Sequence, residues 1–139
     1  MRVVRWATAL ALCAIAAPGL ARAAVTQDNF LLNNTSDFVA LCTAEQSDPL
    51  YTAAVNFCHG FAVGVYRVLS EEDAASSRRH MFCPKDPMPS RNEAVASFVA
   101  WLKANPAQMD AQPADSIAAY LVQTYPCPQP TATSRRTHQ

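Results

Sequence analysis

The sequence predicts an all-α fold: a compact bundle of about four helices stapled by two disulfides and preceded by a signal peptide. Three observations predict it. Apolar residues recur at helical spacing in several segments, and no stretch alternates with period two well enough to make a strand. Helix start and stop residues bracket those segments at the expected places. Four cysteines, Cys42, Cys58, Cys83 and Cys127, follow an N-terminal stretch with the features of an export signal, and an even set in a short exported chain reads as a disulfide framework.

The N-terminal stretch comes first in the chain. Arg2 and Arg5 make a positive beginning, Trp6 to Ala17 is apolar, Pro18 and Gly19 break the run, and Ala21-Arg22-Ala23 offers small residues at both positions a signal peptidase reads. The apolar run is about half the ~20 residues that span a bilayer, so residues 1–23 read as a cleaved signal and the mature chain is expected in the periplasm, with no membrane segment. Cys13 leaves with the signal. Removing Arg2, Arg5 and Arg22 leaves eight basic against eleven acidic side chains. That balance argues against nucleic-acid binding, which needs a clustered basic surface.

Residues 24–34 read as an extended lead-in and residues 35–128 as one helical domain, with a disordered tail over 129–139. Ser36 can cap a short helix from Asp37 to Cys42. Asp48-Pro49 supplies a cap and a first-turn proline for a second helix to about Leu69. Its polar residues form one narrow stripe, Thr52, Asn56, His59 and Arg67, and nearly everything else is apolar, which predicts a central, buried helix. Gly60 and Gly64 lie one turn apart on it. Each lowers helix propensity by about 1 kcal/mol relative to alanine, so close approach of another helix is expected there.

Ser70 to Ser90 reads as a polar loop carrying Glu71-Glu72-Asp73, then Arg78-Arg79-His80, then prolines around Cys83. Ser90-Arg91-Asn92-Glu93 is a capping box. It starts a third helix to about Ala104, with Ala94, Val95, Phe98, Trp101 and Leu102 inward, and Asn105-Pro106 ends it. A fourth helix runs from near Pro113 to about Thr124, with Ile117, Tyr120, Leu121 and Thr124 at helical spacing.

Four cysteines allow three pairings. A short connection makes the third and fourth helices antiparallel neighbours, which brings Cys83 and Cys127 to one end, while the first and second helices can fold back to join Cys42 to Cys58. That pairing is favoured. The chain-entropy model gives ~3 kcal/mol for the shorter ring and ~4 kcal/mol for the longer one.

Little in the chain points to chemistry. Cys58 and His59 are adjacent helical residues about 100° apart, the wrong geometry for a nucleophile and its base. His80 and Cys83 have metal-like spacing, but no second pair matches them. Glu71, Glu72 and Asp73 read as solvated acids, and Phe57, Phe61, Tyr66 and Trp101 as core. No nucleophile-elbow motif and no glycine-rich phosphate loop occurs. The expectation is a non-enzymatic binding protein without metal or cofactor. The segment from Ser70 to Ser90, and within it Glu71, Glu72, Asp73, Arg78, Arg79 and His80, is the expected recognition surface for a protein partner. Deleting Glu72 to Arg79 is then expected to abolish binding and leave helicity and melting intact.

The run Cys58-His59-Gly60-Phe61-Ala62-Val63-Gly64 resembles the C-x-G-aromatic-x-x-G helix of the Rap/Tai immunity proteins, small exported bacterial proteins that neutralise amidase toxins delivered by type VI secretion. Phe82-Cys83-Pro84 is similar to that family's cysteine–proline segment, although here the two residues adjoin. Leu102 to Pro106 resembles its leucine-to-proline helix end and Pro126-Cys127 its closing pair. The resemblance implies a helical, disulfide-bonded fold, frequent homodimers, no catalysis, and inhibition of a peptidoglycan amidase by plugging its cleft. It assigns no particular inhibitory residue. A periplasmic acid-stress chaperone of the HdeA type is the alternative, because such a protein is also small, helical and disulfide-stapled and would open as carboxylates and histidines protonate.

Overall fold

The computed structural model describes residues 24–76 and 79–128. The signal read over 1–23, the tail read over 129–139 and Arg78 lie outside the described residues. Four α-helices and two 3-10 turns make up the rest, with no strand among the described residues. Helix α1 is Thr35–Cys42, α2 is Tyr51–Ala75, α3 is Arg91–Ala104 and α4 is Pro113–Thr124.

Capping chemistry sets most of the boundaries. Asn34, two residues earlier than the cap expected at Ser36, caps α1 by accepting from the Asp37 backbone N–H at 3.0 Å. The Ser90–Glu93 capping box is formed in both directions, at 3.3 and 2.8 Å, and starts α3 where the sequence places it. Pro113 opens α4. Asp48 acts one turn ahead of α2: its Oδ1 accepts from the Leu50 N–H and its Oδ2 from the Val25 N–H, each at 2.8 Å. That second bond fastens the lead-in. Residues 24–34 are therefore not merely extended, because Val25 is buried and Gln27–Leu31 form a 3-10 turn against α1.

The core has its centre in the shortest helix. Phe38 and Leu41 of α1 are fully buried, and α1 packs against α2, α4 and both 3-10 turns. From Phe38 a chain of rings reaches every other helix. Its centroid is 5.2 Å from Phe61 of α2 and 6.0 Å from Phe98 of α3, and Phe98 meets Tyr120 of α4 edge-on at 5.4 Å. Below them sits a buried polar knot: Thr35 Oγ1 donates to the Ala111 carbonyl at 2.9 Å and lies 2.8 Å from Ser116 Oγ, which donates to the Gln108 carbonyl at 3.0 Å. The second 3-10 turn, Pro106–Asp110, exists to present those carbonyls.

The disulfides are Cys42–Cys58 and Cys83–Cys127, the favoured pairing. Helix α2 departs from expectation. It runs on past Leu69 to Ala75, and only Ala54, Cys58 and Asp73 along its length are buried. Val68 is 56 % exposed and Phe57 37 %. The reason is one of supply, since the short α1, α3 and α4 can cover one side of a 25-residue helix but not both. Gly60 and Gly64 face the uncovered side, and a Cβ added at either meets nothing within 4 Å. Among the described residues no helix approaches them, so the close approach expected at these glycines is not made by α1, α3 or α4.

Candidate partner-binding surface

The recognition segment expected from Ser70 onward is built differently from a loose loop. Glu71, Glu72 and Asp73 belong to the last turn of α2. Glu71 and Glu72 face solvent, but Asp73 is buried, with 7 % of its surface exposed. Its Oδ1 accepts from the Met81 backbone N–H at 2.7 Å, and its Oδ2 lies 2.8 Å from Nδ1 of His80. The Met81 bond does most to hold the Asp73 carboxyl below the usual carboxylate range, with His80 adding to it and burial opposing. Asp73 is thus a latch between the helix end and the returning chain. It is spent on the fold, unlike its two neighbours.

The next residues are pinned in succession. Arg79 Nη2 donates to the Pro128 carbonyl at 3.2 Å. Phe82 is buried, with its ring 6.2 Å from that of Tyr66. Cys83 donates its backbone N–H to the Tyr125 carbonyl at 2.7 Å and is bonded to Cys127. Pro84 to Ser90 is then exposed throughout. The exposed residues of this segment include Glu71 and Glu72 near the helix end, Arg79 and His80 on the returning chain, and the 84–90 segment. Deleting Glu72 to Arg79 would remove both the last turn of α2 and the latch, so that deletion would disturb the fold itself, contrary to expectation.

A second feature was not foreseen. A half-open cleft of about 330 Å³ lies between α2, α3, α4 and the Met88-Pro89 lip. Its walls are apolar, and its charged or titratable side chains are His59, Arg67 and Arg91, apart from the phenols of three tyrosines. The signal in the sequence was half present: His59, Val63 and Arg67 stand at i, i+4 and i+8 on α2, but the partner walls come from distant segments. Among the described residues no group of three or more histidine, cysteine or acidic side chains could hold a metal ion, and no helix is long and apolar enough to cross a membrane.

The family model for Rap1a immunity proteins matches residues 34–127. This chain belongs to the Rap1a immunity protein family. The match opens at Asn34, the cap of α1, and closes at Cys127, so the Rap1a domain contains both disulfides, all four helices and the whole surface just described. It bears out the resemblance read from Cys58 to Gly64, Phe82 to Pro84, Leu102 to Pro106 and Pro126-Cys127. No curated protein and no solved structure is significantly similar to the chain.

Proposed function

We propose that this Rap1a protein is a periplasmic, non-catalytic inhibitor that protects its cell from a type VI secretion effector, a peptidoglycan amidase. The family match over residues 34–127 carries the reading, and the leader over 1–23 supports export. The acidic helix end gives it a surface. Glu71 and Glu72 sit at the negative end of the α2 dipole, where an acid disfavours the helix by about 0.3–1 kcal/mol. Exposed residues that weaken their own element are suited to binding something basic, with Arg79 and His80, and Arg78 just before them in sequence, setting register. The family match also favours this reading over the acid-stress chaperone.

The protein acts as a homodimer in this reading, through the open face of α2. Phe57, Gly60, Gly64 and Val68 line that face, and the glycines let a second helix approach closely.

The test uses the secreted chain and a peptidoglycan amidase effector of a type VI secretion system, sought first among the neighbouring genes. Near-stoichiometric inhibition of peptidoglycan hydrolysis is expected, and the double reversal Glu71→Lys/Glu72→Lys should weaken binding at least tenfold with helicity retained. Full amidase activity at a tenfold excess of the folded chain would reject the reading. Suppression of light scattering from an unfolded client at about pH 2 to 3 would support the chaperone instead.

A further inference from the structure

The cleft between α2, α3 and α4 has a chemistry that the immunity reading does not use. Ala62 and Val63 of α2, Val95 of α3 and Leu121 of α4 give it apolar walls. Arg67 and Arg91 stand on it from two different helices, with His59 between the turns. None of the residues lining it is acidic. Neither guanidinium has an ion-pair or hydrogen-bond partner among the described residues.

From this juxtaposition we propose that the cleft is a binding site for a medium-chain fatty acid, with the alkyl chain against the apolar walls and the carboxylate on Arg67 and Arg91. Charge decides the class of occupant. An apolar cleft without charge would accept any hydrocarbon, but two unpaired guanidiniums select an anion and offer it paired N–H donors in fork geometry. Size decides the length. A volume of about 330 Å³ lies at the lower end of the range for small-molecule sites. At about 30 Å³ for a water-sized group, it has room for roughly ten methylene-sized units. Half-openness fits as well, since the head group must stay near the rim where the arginines are exposed. The carboxylate is held by hydrogen bonds and charge alone, and no covalent step is involved.

The test needs no effector, so it stands apart from the immunity reading. Decanoate, decan-1-ol and decyltrimethylammonium are titrated into the secreted chain at neutral pH by isothermal calorimetry. Decanoate is expected to bind one per chain, at least tenfold more tightly than the alcohol, and the cation not at all. Arg67→Ala and Arg91→Ala should each weaken decanoate about tenfold while leaving the alcohol unchanged. Ala62→Phe and Ala94→Phe both fill the cleft and should abolish binding of both, with circular dichroism reporting which of them folds. Equal affinity for decanoate and the cation, or decanoate affinity unchanged in the double arginine variant, would overturn the proposal. So would absence of decanoate binding to the folded chain.

Discussion

Single side chains fix how the bundle closes, and three of them lead to measurable consequences. Thr35 bridges the start of α1 to the half-buried Ala111 carbonyl and to Ser116, and both hydroxyls are away from water. Thr35→Val keeps the shape and the backbone N–H that also reaches the Ala111 carbonyl, but removes the hydroxyl, so the buried Ser116 Oγ loses one partner and the carbonyl loses its second donor. A loss of about 1–3 kcal/mol is expected, read as a lower melting temperature with unchanged helicity. Asp73 behaves differently because it titrates. Its folded carboxyl lies below the usual carboxylate range, chiefly through the Met81 N–H, so it contributes stability at neutral pH and loses that contribution as pH falls through its folded value. Glu93 is lowered too, first by the Ser90 side chain and then by the Ser90 backbone, and acts in the same acid window with the same sign. Melting curves from neutral pH downward should therefore fall below the ordinary carboxylate range. Asp73→Asn and Glu93→Gln should each flatten the fall, and the pair should flatten it more than either. An acid slope untouched by both substitutions would remove the latch from the account. The Ser90–Glu93 pair was legible as a capping box, but the roles of Thr35 and Asp73 were not, because partners such as Met81 N–H or Ala111 C=O are supplied by the backbone, which carries no sequence signature.

Elements were read well where local chemistry decides them and poorly where distant contacts do. The Ser90–Glu93 box and Pro113 bound α3 and α4 at the expected residues, since a cap and a first-turn proline act within four residues of themselves. The end of α2 was placed at Leu69, where the apolar periodicity stops and acids crowd the wrong end of the dipole. The helix continues to Ala75 because no glycine or proline stops it and the buried Asp73 bonds from that turn to Met81. The disulfide pairing was legible for a complementary reason: antiparallel neighbours with a short connection bring their far ends together. It gives an element-level prediction. Cys42 and Cys58 are separated by 16 residues, and Cys83 and Cys127 by 44. Cys83→Ser/Cys127→Ser should therefore lower stability more than Cys42→Ser/Cys58→Ser, by about 1 kcal/mol in the chain-entropy model. The larger loss should also free the 79–83 segment, detectable as faster amide exchange at Cys83, whose N–H is held by Tyr125.

At the scale of the whole molecule, the arrangement that matters is which side of α2 is covered. A longest helix that is apolar nearly all round suggests the centre of a bundle, yet α1 occupies that centre and α2 lies across it with one face open. Periodicity reveals that a helix has apolar surface on many sides, but it cannot say whether the cover comes from the same chain or another. The cleft was hidden for the same reason, since its walls converge only when three helices are assembled. Gly60 and Gly64 separate the two possibilities for the open face. Nothing among the described residues lies within 4 Å of a Cβ at either position, so in an isolated protomer Gly60→Ala and Gly64→Ala should each raise stability by about 1 kcal/mol through helix propensity. If a second copy packs there, a larger side chain obstructs the approach of its helix. Gly60→Leu/Gly64→Leu should then shift the protein to monomer in sedimentation equilibrium while its helicity stays intact. A chain that sediments as a monomer before any substitution, and is simply stabilised by the alanines, would leave the effector as the only partner that could cover this face.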